Sequence, residues 1–153
     1  MAVTKTILKC TNNETVVKVA GTAAAATIDL SVDCVATTDE VSGGTQTVNI
    51  AQLQYTGLPS STITVTRNSI NIFTIGAEGE GTVDLGTGNG IADTIQNTQD
   101  IVVTIAGAEA QCYLVLRKVG GFASKVENST YGAYDDPTRV GASTTMSGSP
   151  DKV

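Results

Sequence analysis

Histidine and tryptophan are absent from the 153-residue chain, and there are only two phenylalanines. Without histidine the chain lacks the commonest general base and the imidazole metal ligand. Ser-His and Cys-His nucleophile systems are excluded with it. Sugar binders use platforms of exposed aromatics, and here only Tyr55, Tyr113, Tyr131 and Tyr134 are on offer. Basic residues are scarce as well: nine Lys and Arg face fifteen Asp and Glu, a net charge of −6. Phosphate neutralisation needs a basic surface, so nucleic acid is excluded as the main partner. Cys10, Cys34 and Cys112 are odd in number and lack CxxC spacing. They read as buried thiols packing like small apolar residues, without a disulfide framework or metal site. No apolar run is long enough for a membrane span, and the start alternates where a signal peptide would be continuously apolar. The expectation is a protein made in the cytoplasm that works in a particle or complex, with no membrane contact.

What remains is rich in Val, Ile, Leu, Ala, Thr and Gly, the composition of an all-β chain. Residues 3–10, 14–21 and 26–35 alternate as strands, the last with Ile28, Leu30 and Val32 on one face. Residues 37–44 read as a loop. Residues 45–58 are long for one strand, with Val48, Ile50, Leu53 and Tyr55 inward and a loss of phase after Ala51 that predicts a bulge or break. Residues 62–66 and 69–75 form a hairpin through Arg67-Asn68, since Asn tolerates positive φ. A short strand is expected around Thr82–Leu85 and one helical turn within 91–100. Residues 100–107 and 111–120 read as a second hairpin of central strands. Each alternating strand must bury one face, so two packed antiparallel sheets follow. The order, immunoglobulin-like or jelly-roll-like, stays open. The core is predicted at Ile28, Leu30, Ile63, Val65, Ile72, Ile101, Val103, Leu114 and Leu116. After Gly120-Gly121 periodicity disappears. The chain therefore divides into a β-sandwich, 1–121, and an extended C-terminal arm, 122–153, with the composition of a linker that orders on a partner.

Charge is distributed unevenly. Residues 21–110 carry ten acids and one base, Arg67, while both ends are mildly basic. This polarity nominates Lys5, Lys9, Lys18, Arg117, Lys118 and Lys125 as partner contacts. Tyr131, Tyr134, Arg139, Val140 and Met146 are the anchors of the arm. Tyr offers a large apolar face with a polar tip. Other chemistry is weak. Glu78/Glu80 and Asp135/Asp136 are carboxylate pairs without stacking aromatics. "GAEGEG" (76–81) lacks the Lys-Ser/Thr of a phosphate loop, and its glutamates repel phosphate. Asp84, Asn89 and Asp93 match no calcium-loop spacing. The glycosylation triplets at Asn13 and Asn128 carry no meaning without secretion. No cofactor, metal or enzymatic activity is expected.

The phrases "MAVTKTILKCTNNETVVKVAG", "TQTVNIAQLQYTG", "ITVTRN", "NTQDIVVTIAG", "LVLRKVGGFASK" and "YGAYDDP" resemble small virion structural proteins of tailed bacteriophages, especially those of marine bacteria. The resemblance spans most of the chain and implies a non-enzymatic β-sandwich of the virion, made in the host cytoplasm. It implies a capsid decoration protein first and a neck, tail or fibre component second. The partners would be the major capsid protein or other virion proteins, with many copies or a homo-oligomer per particle. A carbohydrate- or receptor-binding sandwich is the competing expectation.

Overall fold

The computed structural model describes residues 2–37, 40–84 and 96–124. Nine strands appear in these residues: β1 (Thr4–Cys10), β2 (Glu14–Gly21), β3 (Ala24–Ile28), β4 (Glu40–Gly57), β5 (Thr62–Arg67), β6 (Ile70–Gly76), β7 (Gly79–Asp84), β8 (Ile101–Ala106) and β9 (Ala110–Ser124). A single helical turn, α1 (Leu30–Asp33), joins β3 to β4. One sheet runs β1-β2-β9-β4-β7 and the other β3-β8-β5-β6, with antiparallel pairing throughout. Every connection except β1–β2 and β5–β6 crosses from one sheet to the other. That order is a jelly roll, which settles the choice left open by the sequence.

The core lies between the sheets. Val17, Val19, Val48, Ile50, Leu53, Leu114 and Leu116 come from the five-stranded sheet, and Ile28, Ile63, Val65, Ile101, Val103 and Ile105 from the four-stranded one. Eight of the nine expected core residues are buried. Ile72 is only half-buried, because β6 is an edge strand with a neighbour on one side alone.

Local signals were fulfilled where they depended on nearby residues. The β5–β6 turn falls on Asn68 and Ser69, at φ 51° and 62°, one residue later than expected. Two successive positive φ values give the turn twist that suits a right-twisted hairpin. In β4 the register shifts between Ile50 and Gln52, so the loss of phase after Ala51 is a bulge in one long strand.

Four expectations fail for physical reasons. Residues 100–107 and 111–120 do not pair: β8 and β9 lie in different sheets. Gly107, at φ 77°, makes the crossing, and a Cβ there would meet the Ser60 carbonyl at 2.1 Å. Val32 is 65% exposed, because the strand ends at Ile28 and becomes α1. The Asp29 carboxylate accepts from Ser31 N at 2.9 Å, and Asp33 accepts from Asp29 N at 2.8 Å, so two short acids cap the turn. Within the loop expected at 37–44, β4 already begins at Glu40. Finally, Gly120-Gly121 does not end the body. Gly121 (φ 81°) lies in a register irregularity of a strand that continues to Ser124, with Phe122 packed against the core. The helical turn expected at 91–100 falls partly outside the described residues; a turn at 96–99 closes with Gln99 N donating to Gln96 O at 3.0 Å.

Burial sets the expected stability effects. Leu114→Ala should lose about 2–5 kcal/mol, as at other deep aliphatic sites. Ile72→Ala should lose under about 2 kcal/mol, and Val32→Ala under about 0.5 kcal/mol. Urea unfolding of the three variants checks this order; an equal loss in all three would contradict the placement of the core.

Candidate functional site

The alternation of the five-stranded sheet decides which side chains face out. Register places Lys9, Val16, Val115, Gln52 and Asp84 in one row across its outer face. The next row is Thr6, Lys18, Tyr113, Gln54 and Thr82, and a third runs from Thr4 through Ala20, Gln111 and Thr56 to Glu80. Charge therefore changes sign laterally across one face, basic toward β1 and β2 and acidic at β7. It does not separate a basic docking end from an acidic body. Tyr113 sits in the middle. Beside it an open depression of ≈440 Å³ is lined by Gln54, Thr56, Glu80 and Thr82 among others.

Among the described residues the nominated cations do not form one patch. Lys9 Nζ is 2.6 Å from Glu14 Oε2, an exposed pair. Lys18 and Arg117 stand half-exposed on the outer face. Lys5 points the other way, to the Asp33 carboxylate and, at 2.8 Å, to the Thr27 carbonyl, so it ties β1 to the β3–α1 segment.

Lys118 is a correction: its side chain is 2% exposed and cannot be a surface contact. Its ammonium meets the Glu40 carboxylate, donates to Thr11 O at 2.8 Å, and lies 4.3 Å from the centre of the Phe122 ring. Glu40 in turn accepts from Ala36 N at 3.0 Å. A buried ion pair is tolerable only with such added hydrogen bonds.

Lys125, Tyr131, Tyr134, Arg139, Val140 and Met146 lie outside the described residues. So do Asn89, Asp93, Asn128, Asp135 and Asp136. Of the carboxylates that are described, Glu78 and Glu80 are exposed and Asp84 ends β7 at the sheet edge. Among the described residues no three His, Cys, Asp or Glu side chains come together. No helix among them is long and apolar enough to cross a membrane.

One feature escaped the sequence reading. An open groove of ≈490 Å³ runs beside β1, lined by Ile7, Cys10, Val32, Asp33, Val35, Ala36 and Thr37. The strand pattern placed Val32 on one face with Ile28 and Leu30, but the α1 turn brings it out to the surface, where it lines the groove with Ile7 of β1. Cys34 and Cys112 are buried free thiols as expected, and Cys10 is half-buried, with its Sγ 3.5 Å from Thr15 Oγ1.

No family model and no curated protein matches the chain. Among solved structures, it is similar to an uncharacterised protein with a double-stranded β-helix domain from Klebsiella pneumoniae subsp. pneumoniae. That match has 15% identity and a TM-score of 0.35, and covers 80% of this chain and 84% of that one. It is also similar to a cupin superfamily protein from Desulfitobacterium hafniense. Here identity is 12% and the TM-score 0.30, over 77% and 78% of the two chains. Neither likeness bears on activity, and the fold assignment rests on the strand order.

Burial pushes the Cys34 and Cys112 thiols up to about 12 from 9.0. The folded state therefore holds these protons more tightly than the unfolded chain. Their contribution to stability is complete below pH 9 and is lost as pH rises from 9 toward 12, at up to about 1.4 kcal/mol per unit for each thiol. Urea midpoints should fall above pH 9, with a shallower slope in Cys112→Ala. A slope unchanged by removal of the thiol would contradict its burial.

Proposed function

We propose that the chain is a non-enzymatic structural protein of a tailed-phage virion, a jelly-roll module that decorates the capsid in many copies. The observation that carries this reading is how the body uses its interior charges. Arg67, Lys118 and Glu40 bridge strands, turns and sheets, and the space between the sheets is filled by aliphatic side chains. The described residues present to the outside a sheet face of mixed charge with an open depression, and a groove at one edge. That is the anatomy of a module that docks by its surface. Jelly rolls recur in viral capsid proteins, lectins and cupins, so the fold is compatible with this role and cannot assign it. The phrases resembling phage virion proteins supply the direction, with the major capsid protein as partner and the virion as location. Residues 125–153, beyond β9, serve as the attachment arm in this reading, their polar composition suiting a segment that orders against a partner.

A second reading, receptor or carbohydrate binding, is favoured by one observation. Tyr113 stands on the outer face beside Gln54, Thr82 and Glu80, where a sugar ring would find a stacking surface and hydrogen-bonding groups.

The test is attachment. Full-length protein added to particles lacking it should bind in a fixed ratio to the major capsid protein. A chain cut after Lys125 should unfold within a few degrees of the intact one yet fail to attach. Equal attachment of both would remove the arm from the mechanism. Absence of any attachment, with a specific signal on a glycan array lost in Tyr113→Ala, would replace this reading by the second.

A further inference from the structure

Two thiols from separate segments meet at one buried hydroxyl. Cys10 ends β1 opposite Thr15 of β2, whose side chain is fully buried. The Cys10 Sγ lies 3.5 Å from Thr15 Oγ1. Cys34 follows α1, has no exposed surface, and hydrogen-bonds the same Thr15 side chain. The chain between the two cysteines contains β2, β3 and α1, so only the fold brings them together. Cys112 stays apart. Its partner on β2 is Val19, four residues beyond Thr15 and about 13 Å along the strand.

The two thiols differ in access. Cys10 is half-buried and lines the open groove beside β1. Cys34 is enclosed, although its neighbours Asp33, Val35 and Ala36 line the same groove. Burial holds the Cys34 thiol up at about 12, with the Thr15 hydrogen bond opposing that rise and the nearby Cys10 adding to it. Thiol–disulfide exchange needs one sulfur that a reagent can reach and a second that displaces the reagent from the first. Cys10 meets the first requirement and Cys34 stands where the second is met.

We infer that Cys10 and Cys34 are an oxidisable pair, a site at which a small aliphatic disulfide converts the two thiols into one bond between the end of β1 and the α1–β4 connection. Cys10, as thiolate, attacks one sulfur of the reagent. The reagent's S–S bond breaks, one half leaves as a thiol, and the other half stays on Cys10 as a mixed disulfide. Cys34 then gives its proton to solvent and attacks the Cys10 sulfur, and the second half leaves and takes up a proton. The protein loses two electrons and two protons, which the reagent carries away as two thiols. Bond formation brings the sulfurs to about 2.05 Å, so both leave Thr15 Oγ1 and turn toward each other. The chemistry is independent of the proposed function, which supplies only a setting: a chain made in a reducing cytoplasm and then released meets oxidising surroundings.

The experiment uses the full chain, reduced and then held with glutathione disulfide at mildly alkaline pH. Free thiols are blocked with N-ethylmaleimide in urea, and the chain is weighed without reduction. The untreated chain should take up three blocking groups, and the oxidised chain one, on Cys112. Peptide mapping without reduction should find Cys10 joined to Cys34. In the folded, reduced chain Cys10 should react with the maleimide about tenfold faster than Cys34, or more. Cys112→Ala should form the bond as the native chain does, and Cys10→Ser should leave Cys34 and Cys112 free. The map of the native chain decides the matter even where a variant fails to fold. Recovery of three free thiols, a mixed disulfide on Cys10 that goes no further, or a bond that includes Cys112 overturns the inference. A bond between the Cys10 residues of two copies, or equal reactivity of Cys10 and Cys34 in the folded chain, overturns it as well.

Discussion

A guanidinium inside the sandwich holds its two sheets together. Arg67 closes β5 in the four-stranded sheet, and its side chain has no exposed surface. Nη1 donates to Val48 O at 2.7 Å, reaching β4 in the opposite sheet. Nε donates to Gln99 O at 2.9 Å and Nη2 to Asn97 O at 3.1 Å, which holds the segment leading into β8. A buried cation is costly unless its donors are satisfied, and the planar fork of arginine suits several carbonyls at once. One side chain thus ties the end of β5, at the β5–β6 turn, to β4 of the facing sheet. The Val48 amide joins the same knot by donating to Asn97 O at 2.9 Å.

The second buried charge lies close by, on Lys118, the register partner of Val48. Lys118 and Glu40 tie β9 to the start of β4, to the β1–β2 turn through Thr11 and to the α1–β4 connection through Ala36. With both knots tied and the centre filled by aliphatic side chains, the interior has been given over to cohesion. In the proposed reading, contact with a partner falls to surfaces such as the outer face with Tyr113.

Much of this was legible in the sequence wherever neighbours along the chain decide the outcome. Asn68 marked a turn that needs positive φ, and the phase slip after Ala51 marked the β4 bulge. Alternation in 62–66 and 101–105 identified the core face. Legibility ended where distant partners decide. Nothing local distinguishes a β8–β9 hairpin from a crossing between sheets, since Gly107 permits both. Lys118 looked like a surface cation because its partner, Glu40, stands 78 positions away. Val32 kept the strand phase, but the capping carboxylates of Asp29 and Asp33 turned it outward. The groove could not be read at all, because Ile7 and Val35 meet only when the fold places β1 beside the α1–β4 connection.

The dependence of the fold on its buried arginine can be measured directly by replacing Arg67 with Met, which keeps the apolar stem and removes the donors. Urea unfolding followed by amide exchange should show a loss of about 3–5 kcal/mol, the usual consequence of breaking a buried charged network. Protection should fall first at Val48 and at residues 96–99. A variant that loses less than about 1 kcal/mol, with exchange unchanged at those sites, would contradict the account.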